Sequence, residues 1–168
     1  MRVIRVLGVD VPRGWAIVDV AAVGECQVVA LGELPTGEEV AELADLARRY
    51  KPQAIAIEAP IEPYIGGRGA TGNEGQRRSV IVSLLACSRL AGRFEERADV
   101  LGLPSTVVDA ATVRRALGIR GKKREELDRG VKAFVSMVAL GWPKQSNADE
   151  RDAAAVAVYF GKQIMAKT

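Results

Sequence analysis

The sequence of 168 residues contains no histidine, and this absence excludes two common kinds of hydrolytic site. Without histidine there is no imidazole to activate a serine or cysteine nucleophile, and no plausible zinc site remains. The two cysteines, Cys26 and Cys87, lie far apart and lack the spacing of metal ligands, so we expect small buried hydrophobic residues in a reducing compartment. Hydrolytic chemistry must therefore use carboxylates, lysines, hydroxyls or a hard cation bound by oxygen atoms.

Long apolar segments are also missing. No stretch approaches the roughly 18 uninterrupted apolar residues that a membrane helix needs, and Asp10 and Arg13 interrupt the first apolar run before it could serve as a signal peptide. Because 48% of the residues are hydrophobic, the chain can still form a sizeable core. We expect a cytoplasmic protein without a membrane association, folded as a single domain over residues 1–168.

The net charge of +3 is modest, but the basic residues are concentrated in two segments. Residues 110–124 contain no acid, and residues 65–93 contain only Glu74. The basic residues there are Arg68, Arg77, Arg78, Arg89, Arg93, Arg114, Arg115, Arg120, Lys122, Lys123 and Arg124. This distribution is typical of a protein with a polyanionic partner. It is equally typical of the solvated surface of an ordinary basic protein, and charge alone favours neither.

Apolar patterning predicts three consecutive strands at the start of the chain. The first two are separated by a short turn containing Pro12 and Gly14, so they should pair as an antiparallel hairpin. The third would complete a meander. The predicted strands cover residues 3–11, 14–22 and 25–34.

The rest of the chain alternates between helix and strand. Thr36 with Glu39, and Asn147 with Glu150, have the spacing of capping boxes at the starts of two helices. A wholly apolar strand at 54–57 is typical of burial on both faces. The predicted helices cover 36–50, 76–98, 110–117, 127–138 and 147–164, with a further strand at 105–109. This order predicts an α/β fold: a mixed sheet of about five strands, the first three antiparallel, flanked by helices.

Four acids occupy positions that suggest a shared site. Asp10 ends the first strand, and Glu58 ends the buried fourth strand. Asp149 and Asp152 are three residues apart in the first turn of the last helix. Open α/β folds place their sites at strand ends beside a switch in chain direction. We therefore expect these four side chains to converge.

The orientation of the last helix supports this expectation. At about 100° per residue, Asp149 and Asp152 share one stripe with Ala153, Val156 and Phe160. The apolar members should pack on the sheet, so both carboxylates should point inward. The alternative is that these acids merely complement the helix dipole.

Clustered carboxylates repel one another and favour protonation. A divalent cation removes this conflict, and Mg²⁺ is the usual partner of a few carboxylates and a phosphate. Two such ions could support in-line displacement at a phosphodiester, with one activating water and the other stabilising the leaving oxygen.

The motifs Gly8-Val9-Asp10, Ala56-Ile57-Glu58 and Asp149-Glu150-Arg151-Asp152-Ala153 resemble the acidic motifs of the RuvC family of Holliday junction resolvases. The resemblance covers nearly the whole chain in order and spacing. It implies a ribonuclease-H-like fold and a homodimer that nicks two strands symmetrically across a four-way DNA junction. It also implies two Mg²⁺ or Mn²⁺ ions at each active site, bound by Asp10, Glu58, Asp149 and Asp152, and a branch-migration helicase as a partner.

Two other segments resemble the same family. Gly75-Gln76-Arg77 resembles the start of the helix that pairs the subunits. The stripe Val80, Leu84, Cys87 and Ala91 on this helix should then pack against its twin, or alternatively on its own sheet. Val113–Gly118, followed by Lys122 and Lys123, resembles the basic segment in which one lysine lies close to the scissile phosphate. The resemblance does not decide between the two lysines.

The chain also departs from the family pattern. Asp10 is followed by Val11 before Pro12, whereas the family usually has Asp-Pro-Gly. Tyr64 lies farther from Glu58 than the family's junction-stacking aromatic, and it is either a base-stacking residue or a plain surface tyrosine. These departures, with the short chain, suggest a divergent member such as a phage-encoded one. The expected DNA-binding residues are Tyr64, Arg68, Arg77, Arg78, Arg114, Arg115 and Arg124.

Three alternatives remain open from the sequence. A nuclease of the YqgF type would share the acids and metals but cut RNA. An actin-like or sugar-kinase-like nucleotide-binding domain also begins with Gly-x-Asp on a hairpin, although 168 residues supply only one of its two lobes. A junction-binding structural protein would not need four acids.

Overall fold

The computed structural model describes residues 2–22, 25–60, 74–121, 123–140, 142 and 146–167, and it describes the side chains of all these residues except 74–77, 139 and 140. The strands are β1 (Val3–Asp10), β2 (Gly14–Ala21), β3 (Cys26–Glu33), β4 (Ala54–Glu58), β5 (Ser105–Val108) and the two-residue β6 (Ala139–Leu140). The helices are α1 (Glu39–Tyr50), α2 (Glu74–Val100), α3 (Ala110–Ala116), α4 (Arg124–Val138) and α5 (Ala148–Ala166).

The strands form one mixed sheet in the order β5-β4-β1-β2-β3-β6. β1, β2 and β3 pair antiparallel as a meander, whereas β4 is parallel to β1 and β5 is parallel to β4. The predicted α/β fold with five main strands is therefore confirmed, and β6 adds a short parallel pairing to β3. No helix in the described parts of the chain is long and apolar enough to span a bilayer.

The sheet lies between two layers of helices because side chains alternate along each strand. In β1, Leu7 and Val9 belong to a core cluster with residues of α1 and α2. Ile4 and Val6 face the other way and belong to a cluster with residues of α4 and α5. The segment 153–158 of α5 is completely buried. At about 25 cal/mol for each Å² of apolar surface buried, this face of α5 contributes strongly to stability.

Two helix starts differ in how they are capped. Asn147 and Glu150 form the predicted capping box at α5, with Glu150 N–H donating to Asn147 Oδ1 at 2.8 Å and Asn147 N–H donating to Glu150 Oε2 at 2.9 Å. The box predicted at Thr36 is wrong. A turn in which Glu38 N–H donates to the Pro35 carbonyl at 3.1 Å delays the helix, so that Glu38 is the N-cap and has no side-chain cap.

The stripe predicted on α2 is divided between two environments. Ala91 is only 3% exposed and belongs to the chain's own core, so for Ala91 the alternative of packing on its own sheet is confirmed and the place at a subunit contact is wrong. Cys87 also packs against this core. Val80 and Leu84 are half-buried. The physical reason is that α2 lies on the sheet only through its second half.

Candidate functional site

Asp10 and Glu58 are neighbours at the ends of two parallel strands. The register of β1 and β4 pairs Gly8 with Ala56 and Asp10 with Glu58. Because side chains alternate, Asp10 and Glu58 point to the same face of the sheet as Gly8 and Ala56, which is the face that α5 covers. Val11 N–H donates to the Glu58 carbonyl at 3.0 Å, so the pairing continues past the ends of both strands.

Two glycines let α5 approach the hairpin closely. A Cβ at Gly8 would overlap the Ala153 carbonyl oxygen, and a Cβ at Gly14 would overlap the Asp149 carbonyl group. Gly14 is the register partner of Asp10. The first turn of α5 therefore lies directly on the strand end that carries Asp10, and this contact brings Asp149 and Asp152 to the site.

The start of α5 is also attached to β3. The N-cap residue Asn147 donates through Nδ2 to Glu33 Oε1 at 2.6 Å, while its own side chain accepts from Glu150 N–H. Glu33 ends β3. This contact joins residues distant in the sequence, so no local pattern could have revealed that Glu33 helps to position the acidic turn.

Burial and the charges of neighbouring acids raise the pKa values of three of these acids. Burial raises the pKa of Asp10 to about 8, and the charges of Asp152 and Asp149 add to the rise. Glu58 is 7% exposed, and burial, with the charges of Asp10 and Asp152, raises its pKa well above the usual value. Burial raises the pKa of Asp152 as well. We call Asp10, Glu58, Asp149 and Asp152 the carboxylate group.

Among the described residues, Arg114 forms an ion pair with the carboxylate group. Its Nη2 lies 3.3 Å from Asp152 Oδ2, and the two side chains are 19% and 15% exposed. Its charge opposes the rise in pKa that burial causes at Asp10, Glu58 and Asp152. The Arg114 Nε–H is buried and has no hydrogen-bond partner among the described residues. This arginine therefore lies inside the site and not on an outer surface.

The start of α3 fixes the approach of Arg114. Asp109 is the N-cap of α3, and its carboxylate accepts from Thr112 N–H at 2.9 Å and from the Thr112 hydroxyl at 2.7 Å. Asp109 directly follows β5, which pairs with β4 beside Glu58. The sequence places Arg114 in a basic segment, but only this docking shows which way its side chain points.

Other residues near the site escaped the sequence analysis. The charge of Asp128 on α4 adds to the rise in the pKa of Asp152, which burial mainly causes. Asp128 Oδ2 lies 3.8 Å from Arg124 Nε. Burial raises the pKa of the Cys87 thiol, and the charge of Asp10 raises it further, although Cys87 packs in the core on the other face of the sheet. The i, i+4 spacing of Arg124 and Asp128 was the one sequence pattern that could have pointed to Asp128.

The remaining predicted residues are placed as follows. Arg78, Arg115, Lys123 and Arg124 are exposed. Tyr64, Arg68 and Lys122 lie outside the described residues, and so does the side chain of Arg77.

The carboxylate group fits a hard divalent cation by its chemistry. All of its donors are oxygen atoms, and Mg²⁺ and Mn²⁺ prefer oxygen donors. The raised pKa values reflect burial first and then the charges of neighbouring acids, which Arg114 offsets only in part. Among the described residues, however, no three acidic or cysteine side chains stand close enough to hold an ion. Binding would therefore have to draw the carboxylates together.

Comparisons with known proteins support the fold. No family model matches the sequence, and no curated protein matches it either. The structure is similar to that of Thermus thermophilus RuvC in complex with a Holliday junction substrate, with a TM-score of 0.68, 19% identity, and coverage of 98% of this chain and 97% of that chain. A second T. thermophilus RuvC structure has a TM-score of 0.62 at 19% identity, with the same coverage of both chains.

A viral protein has the same architecture. The fowlpox virus Holliday junction resolvase matches with a TM-score of 0.54 and 13% identity, over 97% of this chain and 98% of that one. The chain therefore has the ribonuclease-H-like fold of the RuvC-like resolvases, as the sequence motifs predicted.

Proposed function

We propose that this chain is a cytoplasmic, structure-selective endodeoxyribonuclease that resolves Holliday junctions by paired symmetric nicks. The observation that carries the proposal is that Asp10 and Glu58 are register partners at the ends of β1 and β4, and that the first turn of α5, which carries Asp149 and Asp152, packs against the strand end beside them. The carboxylate group lies where β1 and β4 end, in a fold shared with a RuvC protein bound to a Holliday junction substrate and with a viral Holliday junction resolvase. A carboxylate group without histidine suits phosphodiester hydrolysis supported by divalent cations.

Each acid of the carboxylate group has a role in this proposal. Asp10, Glu58, Asp149 and Asp152 would hold two Mg²⁺ or Mn²⁺ ions. The bound ions would supply a Lewis acid and lower the pKa of an attacking water. Glu58 and Asp10 come from the rigid sheet, whereas Asp149 and Asp152 come from the capped turn of α5. Placing ligands on regular elements favours accurate positioning.

Arg114 should act at the reacting phosphate. In the free protein it offsets the charge of Asp152, and its unpaired Nε–H remains available to a phosphate oxygen. A guanidinium matches phosphate geometry when it presents two N–H donors together, which Arg114 would do if Nη2 also turned from Asp152 to the phosphate. Lys123 or Lys122 would add a second positive charge beside the scissile phosphate, since Lys123 is exposed one residue before α4.

A pair of adjacent arginines tests this assignment. Arg114→Ala should slow single-turnover cleavage of a junction about a hundredfold, because it removes about 3 kcal/mol of electrostatic stabilisation of the transition state. Junction affinity should change only a few-fold. Arg115→Ala is the matched control, since Arg115 is exposed and should contact DNA only as a clamp. That variant should reduce the salt slope of binding by about 0.9. If Arg114→Ala reduced junction affinity as much as it reduced the cleavage rate, Arg114 would be a DNA-binding residue like Arg115 and would not act at the reacting phosphate.

DNA arms would be bound by the exposed basic residues. Arg78, Arg115 and Arg124 belong to this surface in the proposal, together with Tyr64, Arg68 and Arg77. Neutralising phosphates with such side chains supplies affinity but little sequence specificity. A branch-migration helicase is the proposed protein partner.

Two symmetric nicks require two active sites, so we also propose a homodimer through α2. The first half of α2 supports this, because Val82 is 65% exposed and Leu85 is 42% exposed. Burying such side chains would be favourable at about 25 cal/mol for each Å². Sedimentation at micromolar concentration should give a dimer, and Leu85→Glu should shift it to a monomer. A monomeric parent with and without junction DNA would contradict the dimer.

The function is tested by one cleavage panel. Labelled four-way junction, linear duplex, RNA–DNA hybrid and single-stranded RNA are incubated with Mg²⁺, Mn²⁺ or EDTA. We expect paired nicks in the four-way junction with either metal, no cleavage with EDTA, and little cleavage of the other substrates. Preferred cleavage of RNA would favour a YqgF-type ribonuclease, and metal-dependent ATP binding without cleavage would favour a nucleotide-binding domain.

A further inference from the structure

A second concave surface lies far from the carboxylate group. It is a wide, largely open depression with a volume of about 520 Å³, and small-molecule sites typically have roughly 300–1,000 Å³. Arg5 of this cavity and Asp10 of the carboxylate group lie five residues apart on β1, or about 17 Å at 3.3 Å per residue. They also point to opposite faces of the sheet. The cavity is lined by Val3, Arg5, Asp19, Arg49, Tyr50, Lys51 and Gln53, and we call it the basic pocket.

The single acid of the basic pocket is already neutralised. Arg5 and Asp19 are register partners on β1 and β2, and the guanidinium binds both carboxylate oxygens at 2.7 and 2.8 Å. Arg5 Nη1 also donates to the Tyr50 carbonyl at 3.2 Å. This bond satisfies one carbonyl at the C-terminal, negative end of α1. Arg49 and Lys51 are exposed and form no ion pair with a described residue, so their two charges dominate the pocket.

Lys51 occupies a backbone conformation that disfavours its side chain. Its φ is 51° and its ψ is 54°, in the left-handed region, and it is the only non-glycine residue with positive φ among those described. Glycine is the common choice at this position after a helix because it has no Cβ. Glycine would be less strained at this position, so the lysine points to a use for its ammonium group.

Tyr50 supplies an aromatic wall and a spectroscopic reporter. Its half-buried ring has the Arg49 guanidinium 6.0 Å from its centroid. The centroid of the same ring is 6.1 Å from that of Trp15, which is 8% exposed. A ligand held by Arg49 and Lys51 would therefore lie close to a tyrosine–tryptophan pair.

We propose that the basic pocket binds a phosphate-bearing ligand through Arg49 and Lys51, with Tyr50 as its wall. Two cations on one side of a concave surface suit a group with two or more negative charges, such as the phosphates of a nucleotide or of a nucleic acid backbone. The simpler alternative is that these cations only complement the C-terminal end of the α1 dipole. That alternative gives no reason for a lysine at φ 51°.

The test uses Lys51→Gly in EDTA, with pyrophosphate, ADP and a short linear DNA duplex as probes. Glycine removes the ammonium group and fits the left-handed backbone better, so the melting temperature should stay equal or rise. Affinity for at least one of these three probes should fall at least about tenfold, which corresponds to 1.4 kcal/mol of binding free energy. Lys167→Gly is the matched control, because Lys167 is an exposed lysine after α5 with an ordinary φ of −93°. It should leave affinity unchanged.

The probes distinguish the sources of phosphate. Calorimetric binding of pyrophosphate or ADP that depends on Lys51, with a change in tryptophan emission, would identify a nucleotide-like ligand. Loss of duplex affinity alone in Lys51→Gly, but not in Lys167→Gly, would identify a nucleic acid backbone. The proposal would be overturned if Lys51→Gly bound every probe as tightly as the parent. It would also be overturned if the parent bound none of the probes at millimolar concentration. Cleavage of a four-way junction with short arms by Lys51→Gly is measured in parallel. This assay tests the nuclease proposal separately, so absence of ligand binding at the basic pocket would not contradict that proposal.

Discussion

Asp10→Asn is expected to abolish cleavage of a four-way junction while stabilising the protein in the absence of metal. Cleavage should be lost because a neutral amide replaces the central carboxylate of the group, and metal binding needs its charge. Junction affinity should be retained or increased, since the change removes an anion near a phosphate. Single-turnover cleavage and binding in EDTA measure these two effects.

The stabilisation follows from the direction of the pKa shift. The pKa of Asp10 rises from 3.8 to about 8 in the folded protein, first because of burial and then because of Asp152 and Asp149. A carboxyl group with a raised folded pKa favours folding at low pH, and this contribution is lost as the pH rises towards the folded pKa. The metal-free parent should therefore lose stability between about pH 4 and about pH 8.

The variant should lack most of this pH dependence. At about pH 8 in EDTA, the melting temperature of the variant should exceed that of the parent. Each kcal/mol gained in the free energy of unfolding should raise it by about 2–4 °C. Mg²⁺ should raise the melting temperature of the parent far more than that of the variant. Asp99→Asn is the control, because Asp99 is exposed on α2 and should change neither property. Normal nicking by Asp10→Asn would remove Asp10 from the catalytic machinery, and a lower melting temperature would contradict the electrostatic argument.

Gly8→Ala should damage both stability and activity through a single added methyl group. The new Cβ would overlap the Ala153 carbonyl oxygen and lie 2.9 Å from Ala157 Cβ. The helix cannot yield easily, because segment 153–158 is completely buried. Overpacking of this kind costs about 3 kcal/mol, or about 6–12 °C in melting temperature for a chain of this size. Moving α5 also moves Asp152, and a displacement of about 1 Å can reduce the rate about a hundredfold.

The matched control is Gly92→Ala on α2. A Cβ at Gly92 would meet nothing within 4 Å, and replacing a helical glycine by alanine should stabilise the protein by about 0.5–1 kcal/mol. In thermal unfolding, Gly8→Ala should therefore lower the melting temperature and Gly92→Ala should raise it. Single-turnover cleavage should be slowed only in Gly8→Ala. A Gly8→Ala protein as stable and active as the parent would show that α5 does not lie on β1 as described.

Local patterns were sufficient for much of the fold. The period-2 and helical periodicities predicted the hairpin, the buried strand before Glu58 and the last helix, because burial on one face leaves a mark in consecutive residues. The same patterns placed Asp10 and Glu58 at strand ends and Asp149 with Asp152 on the sheet-facing side of α5. The capping box of Asn147 and Glu150 was predictable because both partners belong to one turn of chain.

Tertiary structure decided the properties that depend on how elements dock. Arg114 reaches Asp152 across 38 positions of sequence, so a basic segment alone could not distinguish it from the exposed Arg115. Ala91 is buried because the second half of α2 lies on the sheet, which its helical stripe did not reveal. The basic pocket likewise combines a cross-strand pair with the end of α1. Sequence by itself thus determined which residues share a face, because periodicity is local. Only the packing of helices on the sheet determined which charges meet, because a charge acts through space on residues distant in the chain.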